Sequence, residues 1–134
     1  MTANSKNYQL LEIGTFSAAA EAGRVEIGDS LALTGSEISV NCLLAGDGSK
    51  FVHTHKQNEE VYLILSGSGV FYVDGEEFPV REGSVVRVDP DGRRAMKAGE
   101  ERLLYICIQT KQDSLTQKTM NDGVIVNDGK LSRV

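Results

Sequence analysis

Residues 53–69 read HTHKQNEEVYLILSGSG, and this stretch holds both histidines of the chain, two glutamates and an apolar run closed by glycines. Side chains on a β-strand alternate between faces. A strand entered at Glu60 therefore puts Glu60, Tyr62 and Ile64 on one face and Val61, Leu63 and Leu65 on the other. Val, Ile, Leu and Tyr suit a half-buried pleated surface, and the SGSG that follows is turn chemistry.

The same signature repeats on either side. VEIGDSLALTG and SEISVNCLLAGDG precede it, and VFYVDGEEFPV, EGSVVRVDPDG and ERLLYICIQTK follow. Asp74-Gly75 supplies the positive φ angles of a two-residue hairpin turn. Pro79 and Pro90 stand at strand borders, where a missing N–H does least harm. The one helix signal is short: SAAAEAGR, with Ser17 as N-cap and Gly23 as stop. Many short strands at regular spacing predict an all-β sandwich or closed barrel. In ERLLYICIQTK, either Leu103, Tyr105, Cys107 and Gln109 or the alternate set faces inward, and periodicity leaves the choice open. Residues 111–134 are more polar, with NDG at 121–123 and 127–129 around VIV, and read as a short capping hairpin or a frayed tail.

The whole composition is that of one globular domain. Of 134 residues 40% are hydrophobic and 25% charged, which argues against disorder. The net charge of -5 gives nucleic acid or an anionic membrane no counter-charge to meet. No apolar run approaches the ~20 residues that cross a bilayer. The opening MTANSKNYQL has no basic segment followed by an apolar one, so a cytoplasmic protein without a signal peptide is expected. Cys42 and Cys107, each within an apolar run, are expected as buried reduced thiols.

His53 and His55 are two apart, so an extended chain aims both imidazoles to one side. If they lie beside the strand that begins at Glu59 or Glu60, two imidazoles and one carboxylate meet. Such a set leaves coordination positions open and suits iron(II), while manganese, zinc, nickel and copper take similar donors. The competing reading is a polar surface, with the glutamates blunting a strand start. PDGRRAMK, at 90–97, adds Arg93, Arg94 and Lys97, read here as a solvated charged turn in preference to a cationic rim.

These residues resemble the cupin superfamily, small single-domain members in particular. Its first motif runs glycine, five residues, HxH, three or four residues, Glu, six residues, Gly. His53, His55, Glu60 and Gly67 match it, and the spacing selects Glu60 over Glu59. Asp47, between Gly46 and Gly48, holds the place of the opening glycine. The second motif is degenerate: Gly83, Pro90 and Gly92 match with one extra residue before Pro90, but its histidine position falls on Ala95 and its asparagine position on Gly99.

The resemblance implies a double-stranded β-helix, or jelly-roll, barrel over about residues 30–110. Residues 1–29 would form an N-terminal strand and turn region, and 111–134 a C-terminal extension. It implies a divalent metal (Fe, Mn, Zn, Ni or Cu) on His53, His55 and Glu60, with the fourth ligand missing, or else an organic ligand and no metal. Tyr62, Tyr105 and Gln109 are the expected ligand-binding side chains. The function implied is small-molecule binding, as a metal-dependent oxygenase or isomerase-like enzyme, or as a module without turnover. A homodimer is expected, since edge strands need cover.

Overall fold

The computed structural model describes residues 2–4 and 7–126. Ten strands are described: β1 (Thr2–Asn4), β2 (Gln9–Leu11), β3 (Arg24–Glu26), β4 (Glu37–Leu43), β5 (Asn58–Ser66), β6 (Ser68–Val73), β7 (Glu76–Arg81), β8 (Val85–Val88), β9 (Arg94–Ala98) and β10 (Leu103–Lys111). β1 and β2 pair with each other. The others form two antiparallel sheets, ordered β3-β4-β10-β5-β8 and β7-β6-β9. The all-β expectation holds.

Both faces of the larger sheet are covered, by different material. Its inner face joins the smaller sheet around Tyr62, Ile64, Phe71, Val80, Val88, Met96, Leu103 and Cys107. Its outer face carries Val40 and Leu104, capped by Ala20 with Ile13, Val25 and Ile27 packed about them. This settles the β10 register. Leu103, Tyr105, Cys107 and Gln109 face inward, and Leu104 and Ile106 face out, with a register shift between Leu104 and Tyr105.

The outer cap is where the helix signal lies, in a revised form. α1 (Phe16–Ala19) begins two residues earlier than Ser17 would place it, with Thr15 as N-cap accepting a hydrogen bond from the Ala18 N–H at 3.0 Å. A 3-10 turn (Ala20–Ala22) follows and ends at Gly23, φ 104°. Ser17 is used elsewhere, accepting from Arg102 Nη2 at 2.5 Å. A second short helix, α2 (Ile27–Ser30), leads to β4.

Turn chemistry sets the sheet joints. Asp74 and Gly75, at φ 51° and 88°, close the β6–β7 hairpin with Val73 opposite Glu76. Gly67, at φ 85°, lets β5 pass into β6; a Cβ there would collide with the Arg102 carbonyl, so no other residue fits the crossing. Beyond β10 the described chain contains one 3-10 turn (Thr119–Asn121), and Val124–Val126 form neither strand nor hairpin and are exposed. The second NDG lies outside the described residues.

Candidate metal centre

The site is built from three segments that meet inside the barrel. β5 supplies Glu60, whose side chain is 4% exposed. Alternation carries Tyr62 inward beside it. His53 and His55 come from an extended segment before β5 rather than from a strand. That segment is pinned to the opposite sheet: His53 and Arg94 exchange backbone hydrogen bonds at 3.1 Å each, and the His55 N–H donates to the Pro90 carbonyl at 2.9 Å. The histidines thus reach Glu60 from across the cavity and not from the neighbouring strand.

His53 Nε2 lies 3.6 Å from Glu60 Oε1, and His55 Nε2 lies 3.3 Å from Oε2. One donor atom from each residue falls within 4.8 Å of the other two. Ligands about 2.0–2.2 Å from a common ion sit roughly 3 to 3.5 Å from one another; the two histidine–carboxylate approaches are near that range, while the 4.8 Å outer limit of the cluster requires the side chains to draw in slightly around an ion. His55 Nε2 is buried without a hydrogen-bond partner, because its approach to Oε2 is not aligned as a hydrogen bond. A buried nitrogen in that state calls for a partner, and a metal ion beside Glu60 would supply one.

Glu60 is the electrostatic hub. Its Oε1 accepts from the Tyr62 hydroxyl and from Arg94 Nη1, both at 2.6 Å, and Oε2 accepts from Cys107 Sγ at 3.2 Å. Burial pushes its pKa up, but the donors Tyr62, Arg94 and Cys107 outweigh that and hold it below the usual carboxylate range. The ionised carboxylate acts in return on its donors: burial and the charge of Glu60 push the Tyr62 phenol and the Cys107 thiol well up, so both stay protonated. For His53, burial lowers the pKa against the pull of Glu60, helped by His55 and Arg94, which keeps the imidazole neutral.

A cavity of about 280 Å³ opens beside this cluster, and Tyr62, Tyr105 and Gln109 all line it. Gln109 accepts from Asn58 Nδ2 at 3.3 Å. Burial pushes the Tyr105 phenol up to about 12, leaving it a neutral hydroxyl. Arg24, Ser49 and Phe51, which sequence reasoning passed over, also line the cavity, as do Arg94, Ala95 and Met96 of β9.

Arg94 is the largest correction. It does not sit in a solvated turn: it is 1% exposed and bonded to Glu60. Arg93 and Lys97, in contrast, are exposed. Burial alternates along β9, with Arg94, Met96 and Ala98 inward, whereas Ala95 is paired with Tyr72 on the other face. The inward side chain of the degenerate motif is therefore Arg94 rather than Ala95, and the Met96–Ala98 alternation was the signal for it. Cys107 is a buried thiol as expected, but one that donates to the hub; Cys42, half-buried on the outer face, is free as well.

The family description "Cupin domain" matches residues 40–109. A crystal structure of a cupin protein from Bacteroides fragilis is 46% identical, covers 92% of this chain and all of that one, and superposes with a TM-score of 0.83. A predicted oxalate decarboxylase from Thermotoga maritima, 21% identical over 66% of this chain and 78% of its own, has a TM-score of 0.59. A cupin-superfamily sugar phosphate isomerase from Silicibacter pomeroyi, 21% identical over 70% of this chain and 63% of its own, also gives 0.59. At such identities the likeness is one of fold. An uncharacterised protein of Methanocaldococcus jannaschii is 41% identical over 44 residues, 32% of this chain and 35% of that protein.

Proposed function

The chain belongs to the cupin family, and from that premise we propose that it binds a small molecule in the barrel cavity beside a divalent ion held by His53 Nε2, His55 Nε2 and Glu60 Oε2. The observation that carries this reading is the convergence of three donor atoms within 4.8 Å, one of them a buried nitrogen without a hydrogen-bond partner. Two imidazoles and one carboxylate suit iron(II), manganese or zinc. An ion held there would supply Lewis-acid polarisation of a bound carbonyl or hydroxyl for isomerase-like chemistry, whereas oxygenase chemistry would need a redox-active ion such as iron(II).

The wall residues divide the remaining work. Tyr105 offers a neutral hydroxyl and Gln109 an amide to a polar ligand, while Phe51 gives it apolar contact. Tyr62 orients Glu60 through its short hydrogen bond. A second reading, ligand binding without turnover, is supported by the state of the wall: Glu60 is already engaged by three donors, and Tyr62, Tyr105 and Cys107 stay protonated. None of these four is a ready general base.

A homodimer and a cytoplasmic location belong to the same proposal. The open edges of β3 and β8, the latter with Val85 exposed, support the first. Two free cysteines are consistent with the second. Among the described residues no helix is long and apolar enough to cross a membrane.

The test is elemental analysis of protein purified without chelators. About one divalent ion per chain is expected after equilibrium dialysis against excess Mn2+ or Zn2+, with His53→Ala losing it and remaining folded. Unchanged metal content in His53→Ala would refute the assignment.

A further inference from the structure

Resting on the metal reading above, we propose that the Arg94 guanidinium is a resident cation that occupies one oxygen of Glu60 and keeps the divalent-ion affinity of the His53–His55–Glu60 face low. The placement of Arg94 is not incidental. Nη1 donates to Glu60 Oε1 at 2.6 Å, Nε to the Gly92 carbonyl at 3.1 Å, and Nη2 to the carbonyls of Asp89, Pro90 and Gly92 at 2.6, 3.1 and 2.9 Å. The turn before β9 is wrapped around the guanidinium, so the charge cannot swing out of the way.

Two consequences follow for an incoming ion. Oε1 already accepts from Tyr62 and Arg94, and Oε2 accepts from Cys107, so one acceptor position of Oε2 remains and the carboxylate binds through that single oxygen. The fixed positive charge also repels a second cation that shares the same carboxylate, at short range and away from bulk water. The segment that carries His53 is bonded to the Arg94 backbone at 3.1 Å, so ligand and cation are set in one frame.

Titrating Mn2+ and Zn2+ calorimetrically into wild type, Arg94→Met, Arg94→His and Ala95→His tests this, with circular dichroism to verify folding. Arg94→Met is expected to bind at least tenfold more tightly than wild type. Arg94→His is expected to bind more tightly still, because it turns an imidazole inward. Ala95→His, whose side chain leaves β9 on the Tyr72 side while Ala95 still borders the cavity and which keeps Arg94, is expected to bind less tightly than Arg94→His. Should Arg94→Met not fold, Arg94→Gln sheds the charge, keeps a donor for Glu60 and carries the same tenfold expectation. Charge-free variants that bind no more tightly than a metal-binding wild type overturn the role of Arg94 alone. Absence of binding in wild type and variants alike overturns the metal reading and this inference together. Binding that appears only in the charge-free variants supports the inference while overturning the metal reading for the native chain.

Discussion

Replacing Glu60 by Gln removes one charge from a pair in which both side chains are all but inaccessible to water. Breaking a buried ion pair from one side costs about 3–5 kcal/mol, because the surviving charge is left uncompensated. Here the lower end applies. Arg94 keeps its carbonyl partners at Asp89, Pro90 and Gly92 and loses only the acceptor of Nη1. A loss of about 3 kcal/mol, or roughly 10–15 °C in melting temperature for a domain of this size, is expected. Arg94→Met is expected to cost a similar amount, since Glu60 retains Tyr62 and Cys107 as donors. In the double variant no charge is left unpaired, so the two losses should overlap by about 2 kcal/mol. Urea denaturation followed by far-ultraviolet circular dichroism measures all four corners of the cycle. Losses that add to within about 0.5 kcal/mol would refute the claim that this pair is the hub of the site.

Phe71 is fully buried, with its ring centroid 4.9 Å from Tyr62 and 5.6 Å from Phe78. Phe71→Ala should therefore cost about 3–5 kcal/mol in urea, and a loss below about 1 kcal/mol would contradict the packing. The depressed pKa of Glu60 contributes stability that is present above the ordinary 4.5 and lost as pH falls through the lower folded value. Tyr62→Phe deletes a donor to the ionised form, raising that folded value. Denaturation at successive pH values should then show a smaller acid-linked loss in Tyr62→Phe than in wild type, and an equal or larger loss would be inconsistent with the Tyr62–Glu60 bond.

How far the sequence could be read depended on which side of each strand was wet. Along β5 the alternation Glu60, Tyr62, Ile64 is anchored by a charge, and the structure turns that set inward. Asp74-Gly75 was legible because a two-residue hairpin turn demands positive φ. The β10 register was not: Leu103 meets the inner core while Leu104 meets the outer cap, so apolar residues serve both faces and a period of two has no contrast. Arg94 escaped notice for a related reason. Beside Pro90, Asp91 and Gly92 a guanidinium reads as solvated, and only the tertiary placement of Glu60 and of three carbonyls makes its burial tolerable. The histidine spacing placed the two imidazoles side by side, as the structure has them, but did not reveal that their segment is held by the opposite sheet.

A crystal soaked in Mn2+ and measured at an anomalous wavelength locates the ion directly. The expected result is one strong peak about 2.0–2.3 Å from His53 Nε2, His55 Nε2 and Glu60 Oε2, lost in His53→Ala. A saturating soak with no peak among these atoms, or with a peak that persists in His53→Ala, would contradict the metal centre and leave a barrel with a polar pocket.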